Sequence, residues 1–224
     1  MNALLGYVTR WIPGRGTGGH KQTHAIDHDV WVDCVQMAEL LLFHHVQGLT
    51  RGCLAFAEAL SAAGHVVHTP DLYDGKTFTE LAEGITYAKQ VGFDTINERG
   101  RLVAEGLPSE MVYAGFSMGV MSAQMLAQTR PGAKGALLLH SCVPLSEFGG
   151  LWPRGVPLQI HTREADEWGD VDVARDVAST VESAELFLYP GDQHLFTDSS
   201  LPAYDENATT LLMQRVLSFL DKVK

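Results

Sequence analysis

The sequence predicts one α/β domain, a doubly wound and mostly parallel sheet of about six strands flanked by helices. Three observations lead there. From Met37 onward short apolar runs alternate with longer amphipathic stretches, the pattern of successive strand-helix-strand units. The apolar runs are each about five to seven residues, a usual strand length. The chain has 224 residues, 46% of them hydrophobic and 19% charged, which suits a single well-filled core.

In chain order, the strands are expected at Leu40–Val46, His65–Thr69, Glu110–Phe116, Gly135–His140, Val156–His161 and Glu185–Tyr189. Helices are expected between them. Arg51–Ala63 places Leu54, Phe56, Ala57 and Leu60 on an apolar face and is followed by Gly64, a residue suited to ending a helix. Met118–Gln128 starts directly at a strand end, and Asp205–Val223 carries Leu211, Leu212, Val216, Phe219 and Leu220 as one stripe. The segment Asp74–Gly106, with Phe78, Ile85, Tyr87 and Phe93, reads either as a small cap over a site or as plain helical core. Residues 1–36 contain PGRGTGG and scattered His and Trp without helical or strand period, so they are expected to be a loosely ordered leader, with the domain spanning 37–224.

A net charge of -11 with only 16 Lys and Arg argues against nucleic acid as a partner, because phosphate binding calls for clustered cations. No apolar run approaches the roughly 18 residues that span a bilayer, and the first residues lack the apolar core of an export signal, so no membrane partner and a cytoplasmic location are expected. Cys34, Cys53 and Cys142 are odd in number and irregular in spacing, which indicates reduced thiols rather than disulfides or a zinc site. Gly14–Gly19 satisfies G-x-G-x-x-G, yet no buried strand precedes it and no helix follows, so it reads as linker. His20, His24 and His28 recur every four residues without supporting carboxylates and read as solvated.

The chemistry concentrates in Gly115-Phe116-Ser117-Met118-Gly119, between the strand MVYA and the helical segment VMSAQMLAQ. Such a strand-to-helix turn lifts a serine hydroxyl above the carboxyl edge of a sheet, and the flanking glycines let neighbouring backbone pass closely. A serine needs a base, and the base needs an acid to hold its tautomer. His194 in PGDQH lies just past the strand ELFLY and is the candidate base; the other strand-associated histidines read as structural. Asp166, five residues beyond His161, is the preferred acid over Glu164, Glu167 and Asp170, which read as solvated loop charges. Two backbone N–H groups would receive the oxyanion, one from Met118 and one from Val46 or Gln47 in the loop after the first strand. Cys142 reads as a small buried residue.

Taken together, HHVQGL, TPDLY, GFSMG, PLQIH with Asp166, and YPGDQH with Phe196 resemble the dienelactone hydrolase family of α/β-hydrolases from about Met37 to the C-terminus. The resemblance implies Ser117 as nucleophile, Asp166 as acid, His194 as base, and Val46 with Met118 as oxyanion donors. It departs from the family in four places. Serine replaces the usual cysteine nucleophile, His45 replaces a glutamate, and Gly75 and Asp198 stand where arginines hold the substrate carboxylate. Without that clamp the reason to bind an anionic lactone is lost. The expected activity is hydrolysis of a small-molecule carboxylic ester, lactone or thioester through an acyl-enzyme, with no metal or organic cofactor. The alternatives are a non-catalytic ligand-binding protein of the same fold and an acyltransferase.

Overall fold

The computed structural model describes residues 37–223, so the expectation of a leader over 1–36 lies outside the described residues. Six strands, β1 (Glu39–Phe43), β2 (Val66–His68), β3 (Val112–Phe116), β4 (Gly135–Leu139), β5 (Leu158–Arg163) and β6 (Ala184–Tyr189), form one sheet in the order β2-β1-β3-β4-β5-β6. Every pairing is parallel. The helices are α1 (Arg51–Ala62), α2 (Leu81–Val91), α3 (Phe93–Glu105), α4 (Gly119–Thr129), α5 (Val171–Thr180) and α6 (Glu206–Lys222).

Alternation along the central strands assigns the two layers. In β1, Leu41 and Phe43 face one side and Leu40 and Leu42 the other, each at most 2% exposed. The first side joins Tyr113, Leu138 and Ile160 to Ala88, Ile96, Val120 and Val177 of α2, α3, α4 and α5. The second joins Val112, Ala114 and Leu137 to Phe56 and Leu60 of α1 and Leu212, Val216 and Phe219 of α6. Burying each of these leucines stabilises the fold by about 2 kcal/mol, and because both faces are covered the strands read as continuous apolar runs. Two helix starts are capped: Thr50 accepts the Cys53 N–H and Asp205 accepts the Ala208 N–H.

The strands fall where the apolar runs are, with ends displaced by one to three residues, and the sheet is wholly rather than mostly parallel. The helix α5, between β5 and β6, is not placed individually by the sequence; it buries Ala174 and Val177. The segment Asp74–Gly106 resolves into α2 and α3, helices of the covering layer. Its pattern misleads because α3 buries Ile96, Gly100 and Ala104 while Phe93, Leu102 and Val103 stay exposed. Among the described residues no helix is long and apolar enough to cross a membrane, and Cys53 and Cys142 are buried free thiols.

The order of strand addition reverses between β1 and β3: β2 lies on one flank of β1, and β3 to β6 extend from the other. A crevice at the carboxyl ends of β1 and β3 is the usual consequence of that switch. Its width is set by Gly119, where a Cβ would come within 2.5 Å of Phe43 O and 2.7 Å of His44 O. Gly119→Ala is therefore expected to lower the unfolding free energy by roughly 1–3 kcal/mol in urea titrations. Gly106→Ala serves as the control, since its added Cβ would meet only Val103 O at 3.6 Å; it should change stability by much less.

Candidate active site

Ser117 leaves β3 with φ of 47°, a left-handed conformation unusual for a residue with a Cβ, and α4 begins two residues later. The turn costs of the order of 1–3 kcal/mol and persists because its neighbours hold it. Ser117 N–H donates to Leu139 O at 2.7 Å, and Ser117 O accepts the Val120 N–H at 2.9 Å. Gly115 is required beneath it, because a Cβ there would lie 2.3 Å from Gly119 O. The hydroxyl is thereby raised over the sheet edge at the amino end of a helix.

Ser117 Oγ lies 2.8 Å from His194 Nε2, and His194 Nδ1 lies 2.7 Å from Asp166 Oδ2. The carboxylate can only accept, so Nδ1 carries the proton and Nε2 presents its lone pair to the serine. The Asp166 side chain is fully buried and its second oxygen accepts the Trp168 N–H at 2.9 Å. Glu164 and Glu167 are exposed, while Asp170, also exposed, accepts a hydrogen bond from Ser141. Three residues from the ends of three strands thus meet in one hydrogen-bonded row.

In the loop after β1, the Gln47 N–H is directed at His45 Nδ1 at 3.2 Å. Neither Val46 nor Met118 gives its backbone N–H to an acceptor among the described residues. Of the two loop residues left open by the sequence, Val46 is the one with a free donor. His44, His45, His65, His140 and His161 are buried, and His68 is half-buried against Glu39. His140 packs edge-on to His194 with ring centroids 6.0 Å apart; burial holds it well below its usual pKa and therefore neutral.

Two of the family departures meet each other. His45 Nε2–H donates to Asp198 Oδ2 at 2.8 Å, Thr50 Oγ donates to the same oxygen, and Ser200 Oγ donates to Oδ1 at 2.6 Å. Burial disfavours charge on His45, but the Cys53 sulfur and the Asp198 carboxylate outweigh it and push the pKa up to about 9; the hydrogen-bond geometry at Nδ1 opposes that direction. The Gln47 N–H needs a lone pair on Nδ1, and on that ground the ring is neutral. Cys53 Sγ lies 4.0 Å from Asp198 Oδ2, so His45, Cys53 and Asp198 are, among the described residues, the group whose donors lie close enough to share a cation. Their hydrogen bonds to one another and to Thr50, Ser200 and Gln47 account for the polar atoms of His45 and Asp198 without one.

The sequence did not mark Arg163. Its guanidinium donates to Pro190 O and to Asp205 Oδ2 and lies 4.5 Å from the Phe196 ring centroid, so it braces both ends of the His194 loop. A charge at the last position of a strand carries no such signal, since its partners are 27 and 42 residues away. Beside His194 opens a cleft of about 540 Å³, walled by Thr79, Leu81, Trp168 and Pro202; its charged lining residues, Glu80, Glu167 and Asp192, are all acidic.

Burial alone would raise the Asp198 pKa, but hydrogen bonds from His45, Ser200 and Thr50 outweigh it and bring it from 3.8 down to about 2. A depressed carboxylate stabilises the fold above its unfolded pKa, and that contribution is lost as pH falls through the folded one. Asp198→Asn is accordingly expected to cost about 2 kcal/mol at pH 7. Urea titrations should show the difference from the parent shrinking below roughly pH 4 and nearly vanishing toward pH 2; a difference independent of pH would contradict this.

Comparison with known proteins agrees with the fold. The sequence model described as "Dienelactone hydrolase family" matches residues 31–224. No curated protein matches this chain. Among solved structures, a dienelactone hydrolase-like promiscuous phosphotriesterase from metagenomic libraries is similar at a TM-score of 0.68 and 16% identity, over 83% of this chain and 86% of that one. A dienelactone hydrolase from Anabaena variabilis gives a TM-score of 0.59 at 17% identity over 85% and 88% of the two chains. The mouse alpha/beta hydrolase domain-containing protein 10 gives 0.61 at 13% identity over 84% and 92%. At these identities the structures establish a shared fold, and the sequence model, which covers most of the chain, establishes more: the protein belongs to the dienelactone hydrolase family and is an α/β-hydrolase.

Proposed function

We propose that this hydrolase is a serine hydrolase acting on a small carboxylic ester, lactone or thioester through an acyl-enzyme. The observation that carries the reading is the unbroken row from Ser117 Oγ through His194 to Asp166, with separations of 2.8 and 2.7 Å. His194 Nε2 takes the Ser117 proton as Oγ bonds to the substrate carbonyl carbon, and the carbonyl π electrons move to oxygen. Val46 and Met118 N–H groups receive that oxyanion. As the carbonyl re-forms, the bond to the leaving alcohol or thiol breaks and His194 returns the proton to it. Water, deprotonated by the same nitrogen, then releases the acid and restores the serine.

Asp166 keeps Nδ1 protonated and stabilises the imidazolium without taking the proton. The acidic cleft lining, and Asp198 where a family arginine would stand, support a neutral substrate over an anionic one.

Ser117→Ala is expected to lower kcat for p-nitrophenyl acetate by about 10⁴-fold or more. A fluorophosphonate should label the parent once per chain, at Ser117. Unchanged turnover in the variant would discard Ser117 as the nucleophile, and a parent with neither turnover nor labelling would leave a ligand-binding protein as the better account.

A further inference from the structure

The segment Thr69-Pro70-Asp71-Leu72-Tyr73, part of the family resemblance, has no place in the chemistry above, although Leu72 and Tyr73 are among the most buried residues of the chain. Its contacts lead to the oxyanion donors. Leu72 N–H donates to His44 Nε2 at 3.0 Å. That nitrogen is therefore unprotonated, and the proton sits on Nδ1, which donates to His45 O at 2.7 Å. Gly48 N–H donates to the same carbonyl at 3.0 Å. A peptide group is planar and trans, so its N–H points opposite to its C=O. Fixing His45 C=O with two donors consequently fixes the direction of the Val46 N–H, which belongs to the same plane.

The geometry points to His44 as the positioning residue of the oxyanion hole: its imidazole, locked in one tautomer by Leu72, prevents the His45–Val46 peptide from flipping and keeps the Val46 N–H aimed at the developing oxyanion. This inference rests on the serine hydrolase reading. Three further contacts make the lock rigid. The Asp71 carboxylate accepts the Tyr73 N–H at 2.8 Å and also the Gly75 N–H, closing the segment into a turn. The Tyr73 ring packs edge-on to His44 with centroids 4.8 Å apart. Tyr73 OH reaches Met118 Sδ at 3.2 Å, so the same tyrosine touches the residue carrying the second donor. Burial lowers the His44 pKa to about 4, which keeps the donor and acceptor pattern of the ring constant around neutral pH.

The test compares two amides that differ in where they offer a proton. In His44→Asn the side-chain amide nitrogen can take the place of Nδ1 and still donate to His45 O. In His44→Gln the amide reaches the place of Nε2, keeping the Leu72 contact but leaving His45 O without the ring donor. With p-nitrophenyl acetate, Gln is expected to lower kcat by about 10²-fold with KM changed less than about threefold, the pattern of a lost transition-state contact. Asn should stay within about tenfold of the parent, with melting temperatures reported for both. Equal kcat in the two variants, or Asn falling below Gln, would overturn the inference. If Gln does not fold, Asn decides alone: a loss of about 10²-fold at a parent-like melting temperature overturns it, and near-parent kcat supports it. Ser117→Ala assayed beside them separates the two levels: if it abolishes turnover while Gln stays at the parent's kcat, only the role of His44 fails, and if it leaves turnover intact, the serine hydrolase reading fails and His44 with it.

Discussion

The structure depends on one close approach, that of the first turn of α4 to the end of β1. Gly119 sits against the carbonyls of Phe43 and His44 with no room for a Cβ, and this contact places the Ser117 turn alongside the loop that carries Val46. Parallel pairing of β1 with β3, in which Phe43 opposes Gly115, supplies the register from which the approach starts. Hydrogen bonding in the sheet thus determines where the chemistry sits, and two glycines determine how close its parts come.

Around that point the fold uses buried polar groups as braces. Arg163 ties the two ends of the His194 loop, His45 joins the loop after β1 to Asp198 in that same His194 loop, and His44 joins it to the segment after β2. Each brace crosses between loops that follow different strands, and each side chain is almost wholly removed from water. A partnered polar group in such surroundings is worth more, and its loss costs more, than at the surface. The loops at the carboxyl edge are held by these links as much as by the apolar layers beneath them.

The parts of this arrangement that could be read in the sequence are those with a local signature. The six strands show as apolar runs because both faces of the sheet are covered, and GFSMG shows because a strand-turn-helix leaves its mark within a dozen residues. His194 could be found by its place after the last strand. The helices α3 and α5 are not placed individually, although α3 falls in the segment for which helical core is one of two readings; their buried residues are mainly Ala, Gly and single Val or Ile. The choice between Val46 and Gln47 was open because it turns on a side chain, His45, accepting a backbone N–H, which no spacing rule encodes. Arg163 goes unmarked and Asp198 shows only as the replacement of a family arginine; their partners, except for nearby Ser200, are supplied by tertiary structure.

The row through Ser117, His194 and Asp166 also has a bearing on synthesis. The first two are 77 residues apart, and His194 follows β6, the outermost and last strand of the sheet. On the ribosome, a nascent chain that has already built its central strands carries its hydroxyl without the imidazole that activates it. Under the proposed serine hydrolase reading, reactivity arrives only when the final strand and α6 have docked, so a half-made chain leaves surrounding esters untouched.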